Sequence, residues 1–252
     1  MRRRSVLLLA SGVLAVGGIV LPSIGEQQSS GSTRITHVVV NEGQPVVLKG
    51  TDATTVTFAI TAEDKSGIRS VDKIGVWGSN YGVLRPTPAP CVAKSRTVSV
   101  CTGSFTVDLA KHDIYDNMAG QWYVQATATA NDGDRFESDT AGKFFIKKDG
   151  YATLTGTQSS ATAGTVLDIE GQLMQPDWKT GLWAWNPGQP VQLRFKAAGG
   201  STWQTVARTR TDSHGYMRAE TKATTTGTYA WYYAGKDWSV PVTSTAAQVS
   251  VG

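Results

Sequence analysis

Short runs of alternating or β-branched residues recur down the whole chain, cut apart by Gly, Asn, Asp and Pro. This rhythm constrains the fold more than any other feature. A side-chain period of two, with turn residues every few positions, suits the strands of a sandwich or barrel and no helical architecture. The first series occupies residues 35–40, 45–48, 55–61, 71–77, 97–101, 105–109, 121–129 and 143–146, with turn clusters such as Asp64-Lys65-Ser66-Gly67 and Asn131-Asp132-Gly133-Asp134 between them. A polar hinge, Lys147-Lys148-Asp149-Gly150, is followed by a second series at 151–157, 166–173, 191–196, 203–209, 216–221, 228–233 and 248–251. Seven or eight short strands in about 100 residues is the count of an immunoglobulin-like sandwich. The expectation is an all-β chain of two tandem immunoglobulin-like β-sandwich domains, 34–148 and 151–252, preceded by a signal segment and a disordered lead-in at 26–33. A charged fraction of 17% with 27 glycines removes helical bundles and coiled coils, and 40% hydrophobic residues removes wholesale disorder.

A weak internal repeat supports the division. Phe105-Thr106-Val107 leads to Gly120-Gln121-Trp122, and Tyr216-Met217-Arg218 leads to Gly227-Thr228-Tyr229, with the two glycines 107 positions apart. Each pair predicts the entry to a penultimate strand, where Gly permits a bend and the aromatic two residues later closes the core. Gly43-Gln44-Pro45-Val46 and Gly188-Gln189-Pro190-Val191 fall at different places in the two series and read as coincident strand entries.

Arg2, Arg3 and Arg4 precede an apolar run at 6–21, then Pro22, Ser23 and Gly25. This is the layout of a secretion signal over 1–25 with a cut before Glu26, or of an uncleaved anchor; both the general and the twin-arginine routes accept it. Without those three arginines, 21 basic residues face 20 acidic ones, and the net charge falls from +4 to +1. Residues 26–150 hold 13 basic and 14 acidic side chains, residues 151–252 hold 8 and 6, and no run of Lys or Arg follows a phosphate backbone. Nucleic acid is therefore not an expected partner, and membrane contact is expected only through an uncleaved signal segment. Cys91 and Cys101, ten positions apart, predict a disulfide in an oxidising compartment; neither a zinc set nor a redox motif fits two cysteines at this spacing.

No catalytic constellation emerges. His37, His112 and His214 are scattered, Asp212-Ser213-His214-Gly215 is a turn sequence, and Glu63/Asp64 and Glu137/Asp139 are loop carboxylates of the kind that water solvates. No nucleophile elbow or zinc-protease motif is present, so the expectation is no enzyme and no cofactor. Asn131, Asp132, Asp134, Glu137 and Asp139 crowd one hairpin around Gly133, a set of hard oxygen ligands that suits calcium. Six of the eight tryptophans lie in the second half. Tyr229, Trp231 and Tyr233 share one strand face. Trp178, Trp183 and Trp185 fall in the loop 175–190, where they either form a rim that stacks on sugar rings or anchors a protein, or fold back and cap the sandwich.

The C-terminal half resembles the immunoglobulin-like modules of secreted actinobacterial proteins, in its strand at 188–193, the Trp203-centred strand, the Thr211-Asp212-Ser213-His214-Gly215 turn, Gly227-Thr228-Tyr229 and a Ser-containing final strand. The N-terminal half, with Val40-Asn41-Glu42-Gly43, the stretch 61–67, the cysteine pair and Ala119-Gly120-Gln121-Trp122, is similar to an uncharacterised family of secreted Streptomyces proteins. The resemblance implies fold and export and transfers no activity. The expected role is a non-enzymatic, secreted or envelope-associated binding module for cell-wall polysaccharide or an extracellular protein. A carbohydrate-binding module using Trp178, Trp183 and Trp185, a structural spacer, and a calcium-binding protein using Asp132, Asp134, Glu137 and Asp139 are the alternatives.

Overall fold

The computed structural model describes residues 27–252, so the expected signal segment lies outside the described residues. The first half forms β1 (Gln27–Ser30), β2 (Arg34–Val40), β3 (Val46–Leu48), β4 (Thr54–Glu63), β5 (Ile68–Gly78), β6 (Val83–Leu84), β7 (Cys91–Ala93), β8 (Val98–Val107), β9 (Gly120–Ala130) and β10 (Arg135–Lys148). The second forms β11 (Tyr151–Thr155), β12 (Ser160–Ala161), β13 (Val166–Pro176), β14 (Trp183–Trp185), β15 (Pro190–Ala197), β16 (Gln204–Arg210), β17 (Tyr216–Lys222), β18 (Gly227–Tyr233), β19 (Val242–Thr243) and β20 (Ala247–Val251).

Two sandwiches result, built on one strand order. In the first, β2-β4-β8-β7 faces β1-β10-β9-β5-β6, and β3 runs parallel to β10. In the second, β13 is flanked by β11 on one side and by β17 and β14 on the other, and this sheet faces β12-β20-β18-β15-β16, with β12 parallel to β20. A short strand thus crosses to run parallel to the last strand in both halves, and β9-β5-β6 and β18-β15-β16 follow it in the same order. This is the Greek-key plan of an immunoglobulin-like sandwich, present twice. Alternation places Val56, Phe58, Ile60 and Ala62 of β4 in the first core and Leu167, Ile169 and Leu173 of β13 in the second.

The repeated glycines open corresponding strands. Gly120 starts β9 and Gly227 starts β18, and Trp122 and Tyr229 are buried two residues on. The reason for glycine differs. Gly120 has φ +134°, whereas a Cβ at Gly227 would lie 2.3 Å from the Phe195 ring. Val46 opens β3 and Pro190 opens β15, so the two Gly-Gln-Pro-Val stretches do enter strands of different rank.

Four expectations change. The lead-in is not disordered throughout, because Gln27–Ser30 pairs antiparallel with Arg135–Ser138 of β10. The segments at 97–101 and 105–109 form one strand, β8, because Gly103 lies within it rather than at a turn; the absent Cβ admits the Phe58 ring, which would otherwise sit 2.5 Å away. Part of the loop 175–190 is strand β14, paired with β13. The polar hinge is also partly strand, since Lys147 and Lys148 end β10 and Lys148 is buried.

Lys148 organises the joint between the sandwiches. Its backbone N–H donates to the Trp238 carbonyl at 2.9 Å, its carbonyl accepts from Val240 N–H at 3.1 Å, and its ammonium meets Asp116 Oδ1 at 2.6 Å. The turn after β13 reaches back across this joint. Trp178 N–H donates to the same Asp116 oxygen at 2.9 Å, its indole packs into the hydrophobic core of the first sandwich, and Lys148 Nζ lies 5.6 Å from the ring.

Candidate binding face

The three tryptophans predicted together are separated by their turn. Asp177 Oδ1 accepts from the backbone N–H groups of Lys179 and Thr180 at 2.8 and 3.0 Å, and the Thr180 bond is the main reason the Asp177 carboxyl lies below its usual range. That turn sends Trp178 inward, where it is 0% exposed. A ring with no exposed surface offers nothing to a ligand, so Trp178 leaves the expected rim and serves as an anchor in the joint. Trp183 and Trp185, by contrast, are 45% and 50% exposed.

Pairing explains their position. Pro176 opposes Trp183 and Met174 opposes Trp185, while Tyr151 of β11 opposes Met174 from the other side. Opposed residues share a face, and Leu173 points to the core, so Tyr151, Met174, Trp183 and Trp185 lie on the outer face of the sheet. Tyr151 and Trp183 have ring centroids 6.0 Å apart. Tyr216, opposite Gln172, adds a further exposed ring.

The turn before β17 completes the face. Asp212 Oδ1 accepts from the N–H groups of His214 and Tyr216 at 2.8 and 2.9 Å, and the imidazole of His214 sits edge-on to Trp185 with centroids 4.4 Å apart. Gly215 makes this possible at φ +73°; its Cβ would lie 2.5 Å from the Leu173 carbonyl. Tyr151, His214 and Tyr216 were not singled out as partners of the tryptophans, because they come from separate segments and meet only through sheet register. The other histidines lie elsewhere. His37 is exposed on β2, and His112 stacks on Tyr115 at 6.0 Å. His214 Nδ1 lies 3.1 Å from Ser213 Oγ, but the carboxylate beside this pair, Asp212, is occupied by backbone donors.

The acidic hairpin assembles differently from expectation. Asp132 and Asp134 converge with Asp64, one ligand oxygen of each lying within 4.8 Å of the others. Glu137 faces Lys73 at 3.5 Å instead, and Asp139 lies where the register of β9 and β10 shifts, its carbonyl accepting from the Trp77 indole at 2.8 Å. Asp64 accepts from Ser66 N–H and Oγ, both at 2.7 Å, from Ser32 Oγ at 2.9 Å and from Thr33 Oγ1 at 3.1 Å. Four donors fill the roughly four acceptor positions of a carboxylate. The Ser66 backbone bond, first among them, draws its pKa down to about 2. The cluster therefore ties the lead-in, the β4–β5 turn and the β9–β10 hairpin together, and leaves two of the four expected calcium ligands in place.

The predicted disulfide is present. Cys91 and Cys101 oppose each other on β7 and β8 and are bonded.

No protein-family model matches the chain, and no curated protein sequence matches it. Among solved structures, the D0-D1 domain of intimin is similar at 14% identity over 87% of this chain and 100% of that one, with a TM-score of 0.30. The three N-terminal domains of the bacteriophage RB49 highly immunogenic outer capsid protein share 10% identity over 90% and 71%, TM-score 0.29. Domains A168-A170 of titin share 8% identity over 82% of this chain, which spans 62% of the titin segment, TM-score 0.26. Likeness at this level carries no functional argument, and the strand order of the two sandwiches is what makes them immunoglobulin-like.

Proposed function

We propose that the chain is a non-enzymatic binding module, exported to the cell envelope, that engages polysaccharide through the aromatic face of its second sandwich. The observation that carries this reading is the pair of half-exposed indoles, Trp183 and Trp185, held two residues apart on one strand face and flanked by Tyr151 and His214. Residues i and i+2 on a strand stand about 7 Å apart, so the two rings meet successive units of an extended glycan. Indole faces suit the apolar faces of sugar rings, while the indole N–H is left to bond hydroxyls. A second sandwich pinned to the first at Lys148 and Trp178 presents this face on a firm base.

Co-sedimentation of the exported chain with insoluble cell wall, chitin and cellulose tests the reading. Retention that Trp183→Ala/Trp185→Ala loses, with folding intact by circular dichroism, is the expected result. Equal retention of both proteins, or none of either, overturns it and leaves a spacer or a protein partner as the role.

A further inference from the structure

The opposite sheet of the second sandwich has a different character. Its six strands, β12, β20, β18, β15, β16 and β19, carry Arg194, Lys196, Arg208 and Arg210 and no Asp or Glu. In sequence these cations are dispersed, and no basic run is visible. Register gathers them. Val191 and Leu193 are buried in the core, so Arg194 and Lys196 point outward from β15, and Arg208 and Arg210 share that face because they oppose Gln192 and Pro190. Among the described residues none of the four makes an ion pair; the salt bridges of this sandwich belong to Arg218 on the other sheet.

Their contacts are neutral and orienting. Arg194 donates to Gln192 Oε1 at 3.1 and 3.2 Å and lies 3.4 Å from the centroid of Tyr232. Lys196 stands over Trp203 at 5.1 Å, and Arg210 donates to the Gly188 carbonyl at 2.9 Å. Each cation stands opposite a neutral residue, and an arriving anion meets Arg194, Lys196 and Arg210 already held in place.

We propose that this face binds a linear, carboxylate-bearing polysaccharide. Cations about 7 Å apart along each strand, on strands about 4.8 Å apart, meet several charges of a repeating polymer at once, where a small anion meets one. Arginine forks pair with carboxylates in bidentate geometry. Thr228 and Gln248, opposite each other on β18 and β20, add a hydroxyl and an amide for sugar hydroxyl groups, while Gln192 Oε1 is taken by Arg194 and by Thr205 Oγ1 at 2.9 Å. Single-stranded nucleic acid fits less well, because it needs open rings for base stacking and the rings of Tyr232 and Trp203 are already covered by Arg194 and Lys196.

Calorimetric titration of the Trp183→Ala/Trp185→Ala chain, in which the aromatic face is removed, with polygalacturonate and with its methyl-esterified form tests the proposal. Saturable binding to the acid form alone is expected, falling steeply towards about 0.3 M salt. Arg208→Gln/Arg210→Gln in that background should weaken it about tenfold with a shallower salt dependence, and Arg208→Lys/Arg210→Lys, which keeps the charge and loses the fork, should recover only part of the loss. Absence of binding, equal affinity for the ester, indifference to the Gln variant, or tighter binding to single-stranded DNA or anionic vesicles overturns it.

Discussion

The two sandwiches share a strand order and direct their side chains in different ways. Each buries a tryptophan on the corresponding strand, β9 or β18, with the indole N–H bonded to a backbone carbonyl, Trp122 to Met118 at 2.8 Å and Trp231 to Glu170 at 3.1 Å. Beyond that shared element they diverge. The first sandwich is closed by covalent and polar ties: a disulfide on its β7–β8 edge, a saturated carboxylate at Asp64, and the borrowed ring of Trp178 at the joint. The second has no disulfide and leaves aromatic rings on one outer face and unpaired cations on the other. One topology thus supports a braced half and a displaying half, and the difference lies in side chains that the strand order does not dictate.

Removing the borrowed ring should strain this comparison most. Trp178→Ala deletes a fully buried indole from the core of a domain to which it does not belong in sequence, and a change of this kind costs about 3–5 kcal/mol. Calorimetry should show the first sandwich melting earlier and separating from the second; an unchanged melting profile would mean the joint contributes no stability. Cys91→Ser/Cys101→Ser comes next. Releasing a ten-residue closure should cost about 2–3 kcal/mol, confined to the first half, and hydrogen exchange resolved by domain would detect any spread into the second. Gly215→Ala acts on the displaying half. Forcing a Cβ onto a left-handed residue against the Leu173 carbonyl should cost about 1–2 kcal/mol and loosen His214 from Trp185, so glycan retention should fall further than stability does.

Periodicity made the long strands legible in sequence, since an alternation of buried and exposed side chains leaves a local trace. The Gly-x-aromatic pair at Gly120 and Gly227 was visible for the same reason, and so was the disulfide, which needs only two cysteines. What stayed hidden depends on register. Trp178, Trp183 and Trp185 look equivalent in sequence, but an Asx turn at Asp177 buries the first and β14 pairing exposes the others. Asp64 joins Asp132 and Asp134 across 68 and 70 positions, and Arg194 shares an outer face with Arg208 and Arg210 only because β15 pairs with β16. The shortest strands, β6, β12 and β19, have two residues each, too few to carry a period.

The smallest effect is the one that pH reads. Asp64 titrates near 2 in the folded chain, mainly because its carboxylate accepts from the Ser66 backbone, against about 3.9 for an unfolded Asp. The unfolded chain therefore takes up the proton first. The contribution of Asp64 is complete above about pH 4 and is lost as the pH falls through about 2, with stability declining across that window. Other carboxylates are held low, Asp108 by Lys111 in the first half and Asp168 by Arg218 in the second, and give both halves some acid sensitivity. Asp64→Asn isolates the tie: its melting temperature should be lower than that of the native chain at neutral pH, with the gap narrowing towards about pH 2. The second sandwich responds at the other end of the scale. Burial raises the phenol pKa of Tyr229 and Tyr233, so there the unfolded chain loses its protons first and stability declines above about pH 10. Calorimetry across both ranges should find the first transition responding to the Asp64 substitution in acid and the second falling in alkali. A gap that stayed constant down to about pH 2 would remove Asp64 from the ties that distinguish the braced half.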